Sequence, residues 1–209
     1  MTKVDAAKRD TFLYEVGRVL AWVAVRLFIP VRYHGQEKLR GRKGPFVLIS
    51  NHQHALDPVV LALCVREQCV FLAKKELAAN GFLRWMFRQL HCIMVDRHNS
   101  DMEAMRACMQ VIRDGRVLVI FPEGTRHHEG QMEQIENGTS LIVLRGGVPL
   151  IPVYIDRPLK LFRRCNAWVG EPIGYGDLLE QGTNRNSCEA LNERMRETYR
   201  KMIAEHGTG

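Results

Sequence analysis

Five short apolar runs recur through the middle of this 209-residue chain: Phe46–Ser50, Val70–Ala73, Ile93–Val95, Arg116–Phe121 and Leu150–Ile155. They are rich in β-branched and aromatic residues and too short to bury a helix face, which suits strands covered on both sides. Between them lie stretches with helical spacing, over Pro58–Glu67, around Phe82–Leu90, over Asp101–Arg113 and over Thr139–Leu144. In Asp101–Arg113, Met102, Met105, Met109 and Ile112 form the expected inner stripe. Strands alternating with helices bring the chain back across one sheet. The expected fold class is therefore α/β, a single domain with a mostly parallel sheet flanked by helices. Ala167–Val169 is expected to add an edge strand.

Both ends read as helices. Over residues 11–29, Phe12, Val16, Val19, Leu20, Val23 and Leu27 fall on one side, and Glu15, Arg18, Trp22 and Arg26 on the other. Pro30 ends the pattern. Such a helix can lie in a membrane interface, pack on its own domain, or do each at a different end, and the pattern alone leaves these readings open. Arg18 and Arg26 interrupt the apolar run, which is too short and too charged for a spanning helix or a secretory signal. At the other end, Leu191, Met195, Thr198 and Met202 share one side of a final helix. Asn186 followed by Glu189 resembles its capping box.

Three polar motifs directly follow three of the predicted strands, at the end of an α/β sheet where ligands bind. Asn51-His52-Gln53-His54-Ala55-Leu56-Asp57-Pro58 follows the first. Histidine titrates nearest neutrality and can take a proton from a hydroxyl. A carboxylate such as Asp57 can fix its tautomer and stabilise the imidazolium. The plainer readings are a loop histidine bonded to backbone and an Asp-Pro helix cap. Val95-Asp96-Arg97 offers a cationic fork or an ordinary surface ion pair. Phe121-Pro122-Glu123-Gly124-Thr125-Arg126 combines a flexible glycine, a hydroxyl and a planar guanidinium suited to phosphate. Read alone, it is also a turn with an ion pair. Together the motifs supply a base, its carboxylate and two arginines at one end of a sheet, a set suited to deprotonating an alcohol on a phosphorylated molecule.

The formal charge of +7 implies an anionic partner. Basic clusters at residues 38–43 and 157–164 fit an acidic membrane surface, and no nucleic-acid-binding pattern is present in the sequence. The six cysteines show no C-x-x-C or other metal-ligand spacing. They read as reduced structural residues, consistent with a cytosolic face.

The chain resembles the glycerolipid acyltransferases typified by bacterial 1-acyl-glycerol-3-phosphate acyltransferase. Four family blocks occur in order. These are Asn-His-x4-Asp at Asn51–Asp57, Ile-x-Val-Asp-Arg at Ile93–Arg97, Phe-Pro-Glu-Gly-Thr-Arg at Phe121–Arg126, and Val-Pro-x-x-Pro-Val at Val148–Val153. Leu72–Leu77 matches the run that usually precedes the second block, and the likeness covers about residues 30–160. It implies that His52 is the general base and Asp57 its partner. It further implies that Arg97, Glu123, Gly124, Thr125 and Arg126 bind the acceptor. The implied reaction transfers a fatty acyl group from acyl-CoA or acyl carrier protein to the hydroxyl of lysophosphatidate or a related lysophospholipid, in phospholipid biosynthesis, without metal or cofactor. The implied place is the cytoplasmic face of the membrane, held peripherally or monotopically. The expected division is an N-terminal amphipathic, membrane-associating helix at 1–30, the acyltransferase domain at 31–182, and a C-terminal helix at 183–209 packed on it.

Three positions depart from the family pattern. His54 stands where Ser is usual, the place near His91 usually holds Gly, and Ile135-Glu136-Asn137 stands where a Lys is common before Gly138. The alternatives are hydrolysis of an acyl thioester or lipid, and a non-catalytic module that binds anionic membranes. No G-x-S-x-G nucleophile elbow occurs, which weighs against a serine hydrolase.

Overall fold

The structure, a computed structural model, describes residues 11–39, 41–42, 44–74, 81, 84, 92–95, 102–126 and 132–207. Most of the sequence-predicted helix around Phe82–Leu90, and the pair Asp96–Arg97, lie outside these residues. The chain opens with α1 (Thr11–Phe28) and β1 (Val31–His34), followed by β2 (Phe46–Ser50) and α2 (Asp57–Cys64). The middle holds β3 (Cys69–Lys74), β4 (Ile93–Val95), α3 (Met102–Arg113), β5 (Val117–Ile120) and α4 (Asn137–Gly146). Then come β6 (Leu150–Ile155), β7 (Cys165–Val169), α5 (Gly176–Glu180) and α6 (Arg185–His206).

The strands form one seven-stranded sheet in the order β1-β7-β6-β2-β5-β3-β4. Every neighbouring pair is parallel except β6 and β7, which are antiparallel. The expected α/β architecture with a mostly parallel sheet is therefore what forms. Ala167–Val169 belongs to a longer strand that sits inside the sheet, because β1 covers its outer side. The edge strand β1 was missed since Val-Arg-Tyr-His carries only mixed polarity.

Alternation along the central strands assigns the two faces. Val47, Ile49, Leu118, Ile120, Leu150 and Tyr154 face α3, α4 and α6. Phe46, Leu48, Val117, Val119, Ile151 and Val153 face α2 and the segments around Ile29, Leu39 and Leu159. All of these strand residues are buried, which explains why the strands read as continuous apolar runs.

Two helix faces and one helix cap differ from expectation. In α3 the buried residues are Ala104, Cys108, Val111 and Ile112, while Met102 is exposed. The inner stripe is rotated toward small side chains that let the helix sit close to the sheet. In α6 Tyr199, and not Thr198, joins Leu191, Met195 and Met202 in the core. Its capping box is formed by Asn184 and Ser187, two residues before the expected start.

The N-terminal helix turns its apolar stripe away from the protein. Val16, Val19, Leu20, Val23 and Leu27 are exposed. It attaches through buried Val25 and the adjoining Ile29 and through Arg18, whose Nη1 donates to the Arg66 carbonyl at 2.6 Å and whose guanidinium pairs within the helix with Glu15 at 3.0 Å. The helix thus packs toward its end while its apolar stripe faces outward.

Gly35 ends β1 at φ +73°, and a Cβ there would lie 2.6 Å from the Val169 carbonyl oxygen in β7. Gly35→Ala is expected to destabilise the fold by about 2 kcal/mol, from the left-handed backbone plus the clash. Urea unfolding measures this as a lowered midpoint at unchanged slope.

Candidate active site

Because β2 pairs in parallel with both β5 and β6, the residues that follow these strands share one rim. Asn51 and Gln53 fasten the loop after β2 to the end of β6. The Asn51 Nδ2 donates to the Ile155 carbonyl at 2.9 Å, and the Ile155 N–H donates to Asn51 Oδ1 at 2.9 Å. This side-chain amide thus continues the strand ladder for one more step. Gln53 Nε2 donates to the same carbonyl at 3.0 Å. On the other flank, Glu123 Oε2 accepts from the His52 main-chain N–H at 2.9 Å.

Between these fastenings the loop curls around Asp57. The carboxylate is wholly buried, and its Oδ2 accepts from Gln53 N at 2.7 Å, His54 N at 2.7 Å and His52 Nδ1 at 2.9 Å. The Asp57 N–H donates to the His54 carbonyl at 3.0 Å and closes the turn. An ionised carboxylate only accepts, so Nδ1 of His52 carries the hydrogen and Nε2 keeps its lone pair. Asp57 Oδ1 is buried without a hydrogen-bond partner among the described residues. Negative charge is therefore held close to the ring and screened little, ready for an imidazolium.

Of the two readings open for Asp57, partner of His52 or helix cap, the geometry has the first. Asp57 is the first residue of α2, Leu56 is the N-cap, and no side chain caps the helix. The carboxylate points back into the loop, where it finds three donors, more than a cap position would offer. His54, which replaces the usual Ser, accepts from the Leu56 N–H at its Nδ1, 3.2 Å away. It supports the same turn.

His52 stacks on Phe121 with ring centroids 4.2 Å apart, and its side chain remains 18% exposed. Phe121, Pro122 and Gly124 form a tight turn in which Gly124 adopts φ +63° and its N–H donates to the Phe121 carbonyl at 2.9 Å. This turn sends Glu123 inward to His52, whereas Thr125 and Arg126 stay exposed. Five expected residues, His52, Asp57, Glu123, Gly124 and Arg126, thus follow two adjacent strands, with Thr125 beside them. Glu123 differs in emphasis from expectation, since its carboxylate is buried and engaged with the loop that carries the base. Arg97 lies outside the described residues.

Several contributors were not singled out from sequence. Asn51 and Gln53 alternate with His52 directly after a strand, a pattern that would have marked them as anchors. Phe121 opens its motif but was given no role of its own. Tyr199 gave no local signal at all. It reaches from α6 to the carbonyls of Ile49 and Val153, at 2.9 and 3.0 Å, just beneath the rim. Burial, reinforced by the negative charge of Glu123, holds its hydroxyl pKa well above the ordinary value, so it stays a neutral donor.

Fold and rim together define an α/β protein with a carboxylate-held histidine at the carboxyl end of a parallel sheet. A family model described as Acyltransferase matches residues 30–156, more than half of the chain. The chain belongs to the acyltransferase family. It is 27% identical over 180 residues to a 1-acyl-sn-glycerol-3-phosphate acyltransferase of Streptococcus pneumoniae (strain R6), covering 83% of this chain and 66% of that protein. The enzyme of the same name from Bacillus subtilis (strain 168) is 27% identical over 181 residues, covering 82% and 89%. The human alpha form is 29% identical over 180 residues, covering 78% and 60%. The chain thus spans about two thirds or less of some curated relatives. The crystal structure of the 1-acyl-sn-glycerophosphate (LPA) acyltransferase PlsC from Thermotoga maritima shares the fold, with TM-score 0.70 at 20% identity over 96% of this chain and 86% of that one.

Asp57→Asn leaves the side-chain volume almost unchanged and places an amide where three N–H groups converge. Turnover is expected to fall by ~10²–10⁴-fold through loss of the ring tautomer and of imidazolium stabilisation. Steady-state kinetics on folded protein, verified by circular dichroism, measure it.

Proposed function

We propose that this acyltransferase transfers a fatty acyl group from an acyl thioester, on coenzyme A or acyl carrier protein, to the free hydroxyl of lysophosphatidate or a related lysophospholipid. The observation that carries this reading is the Asp57–His52 contact, which leaves Nε2 as the basic atom of a partly exposed ring. The named relatives act on 1-acyl-sn-glycerol-3-phosphate, which supports the acceptor class.

In the proposed reaction Nε2 of His52 takes the acceptor's hydroxyl proton as the oxygen attacks the thioester carbonyl. The C–O bond forms, the C–S bond breaks, and the leaving thiolate takes the proton back from the imidazolium. Asp57 stabilises the imidazolium in between. Glu123 holds the His52 main chain, and Thr125 and Arg126 meet the acceptor's phosphate from the exposed side of the turn, with Arg97 as the second cation. The bonds that Asp57 and Glu123 make to the His52 loop are already in place and need no reorganisation at the moment of reaction.

Direct attack is favoured over an acyl-enzyme. Burial pushes the thiols of Cys64 and Cys92 up to about 12, and those of Cys69 and Cys165 also lie far above the ordinary range. At neutral pH they are protonated and poor nucleophiles.

The work site of this reading is the cytoplasmic face of a membrane, with the exposed apolar stripe of α1 in the interface and basic residues toward anionic lipid. No helix among the described residues is long and apolar enough to cross a bilayer.

The test is a transfer assay on a panel of lysolipids with each donor. Wild-type protein is expected to acylate lysophosphatidate or a close relative, and His52→Ala to lose ~10²–10⁴-fold. Full transfer by His52→Ala would refute the base. A second measurement is intact mass after incubation with donor alone. No mass increase is expected, and a stable acyl adduct would contradict direct transfer.

A further inference from the structure

The connection from β6 to β7 leaves the sheet at the catalytic rim. Its first residues are pinned. Asp156 is buried, and its Oδ1 accepts from the Asn166 N–H at 2.9 Å while Oδ2 accepts from Asn166 Nδ2 at 2.8 Å. Leu159 tucks into the core. The chain then reverses in a tight turn, Lys160-Leu161-Phe162-Arg163, with the Arg163 N–H donating to the Lys160 carbonyl at 3.2 Å.

The tip of this turn has the wrong chemistry for water. Turn tips in soluble proteins favour Gly, Asn, Asp and Ser. Here the two central residues are Leu161 and Phe162, 68% and 75% exposed. Phe162 also adopts φ +59°, a conformation usually left to glycine or asparagine, so the backbone is strained to present this ring. Its N–H donates to the Phe28 carbonyl at 2.6 Å, and its ring meets Phe28 edge to face at a centroid distance of 6.1 Å. The tip therefore continues the exposed apolar stripe of α1, which ends in Leu27 and Phe28. Lys160, Arg163 and Arg164 are exposed around it.

We infer that the β6–β7 turn is a second membrane-insertion element: Leu161 and Phe162 enter the acyl region of an anionic bilayer while Lys160, Arg163 and Arg164 contact its head groups. This inference rests on the membrane reading above and adds a second anchor to α1. Two large apolar residues ringed by cations fit an anionic lipid surface, because the ring supplies attraction where the tip supplies burial. A protein partner would not need the cations on every side. The turn springs from Ile155, whose carbonyl holds Asn51 and Gln53. Insertion would therefore bring the His52 rim to the bilayer surface, where an acceptor with its tail in the membrane presents its head.

The experiment compares wild type, Leu161→Ser/Phe162→Ser and Leu20→Glu for sedimentation with vesicles of phosphatidylcholine alone or mixed with phosphatidylglycerol. Wild type is expected to bind the mixed vesicles, and the turn variant to partition at least about tenfold more weakly. Its transfer to a short-chain, water-soluble acceptor is expected to stay unchanged. Phe162→Trp gives an independent readout, a blue-shifted emission quenched by brominated lipid tails only when mixed vesicles are present. Wild-type binding that the turn substitutions leave intact, with no quenching at position 162, overturns the inference and leaves α1 as the anchor. A wild type that binds no vesicle overturns the membrane reading with it. A lipid-free change of oligomeric state in the turn variant, without loss of vesicle binding, makes the tip a protein contact and also overturns the inference.

Discussion

One buried carboxylate organises the rim of this protein. Among the described residues no lysine or arginine pairs with Asp57, which accepts two main-chain N–H groups and one imidazole N–H on a single oxygen. A carboxylate out of water is costly unless it is hydrogen-bonded, so the loop closes in the conformation that supplies those donors. The same conformation decides which nitrogen of His52 faces outward. Local stability and chemical readiness thus depend on one contact set. A loop that relaxed would lose both.

That loop is then held by strands already fixed in the sheet. Asn51 and Gln53 tie it to β6, Glu123 ties it to the turn after β5, and Phe121 supports the ring. Beneath them the Tyr199 hydroxyl binds carbonyls on β2 and β6 from the last helix. Mobile loops make poor catalytic platforms, because a displacement of about 1 Å costs heavily in rate. Here each flank of the six-residue loop has a separate tether, so precision comes from redundancy in the supports. The last helix therefore contributes to the site as well as to the core.

The sheet and the positions of the candidate residues were legible in the sequence because both reduce to short-range signals. A strand buried on both faces must be apolar throughout, and a polar motif directly after it must fall at the rim. Phe46–Ser50 and Leu150–Ile155 were read to the residue for this reason. Strand β1 was missed because an edge strand needs only one covered face, and Val31–His34 carries a charge in its middle. The α3 stripe was misplaced because Met102 has the hydrophobicity of a core residue, while closeness to the sheet selects Ala104 and Cys108. Tyr199 was invisible because its partners, Ile49 and Val153, are far away in sequence. The pairing of Asp57 with His52 was legible from the motif, whereas the two main-chain donors on the same oxygen, Gln53 N and His54 N, emerge only from the fold of the loop.

The outward face of α1 shows the same principle reversed. Its apolar stripe was evident from spacing, yet spacing does not say what covers it. The fold answers by docking the helix through Arg18 and leaving the stripe open. At the rim, everything turns on the tautomer of His52. Nitrogen-15 NMR of histidine-labelled protein reads it in the free enzyme. The account predicts a hydrogen on Nδ1 whose signal shifts in Asp57→Asn, with Nε2 unprotonated. A hydrogen on Nε2, or a spectrum indifferent to Asp57, would contradict it.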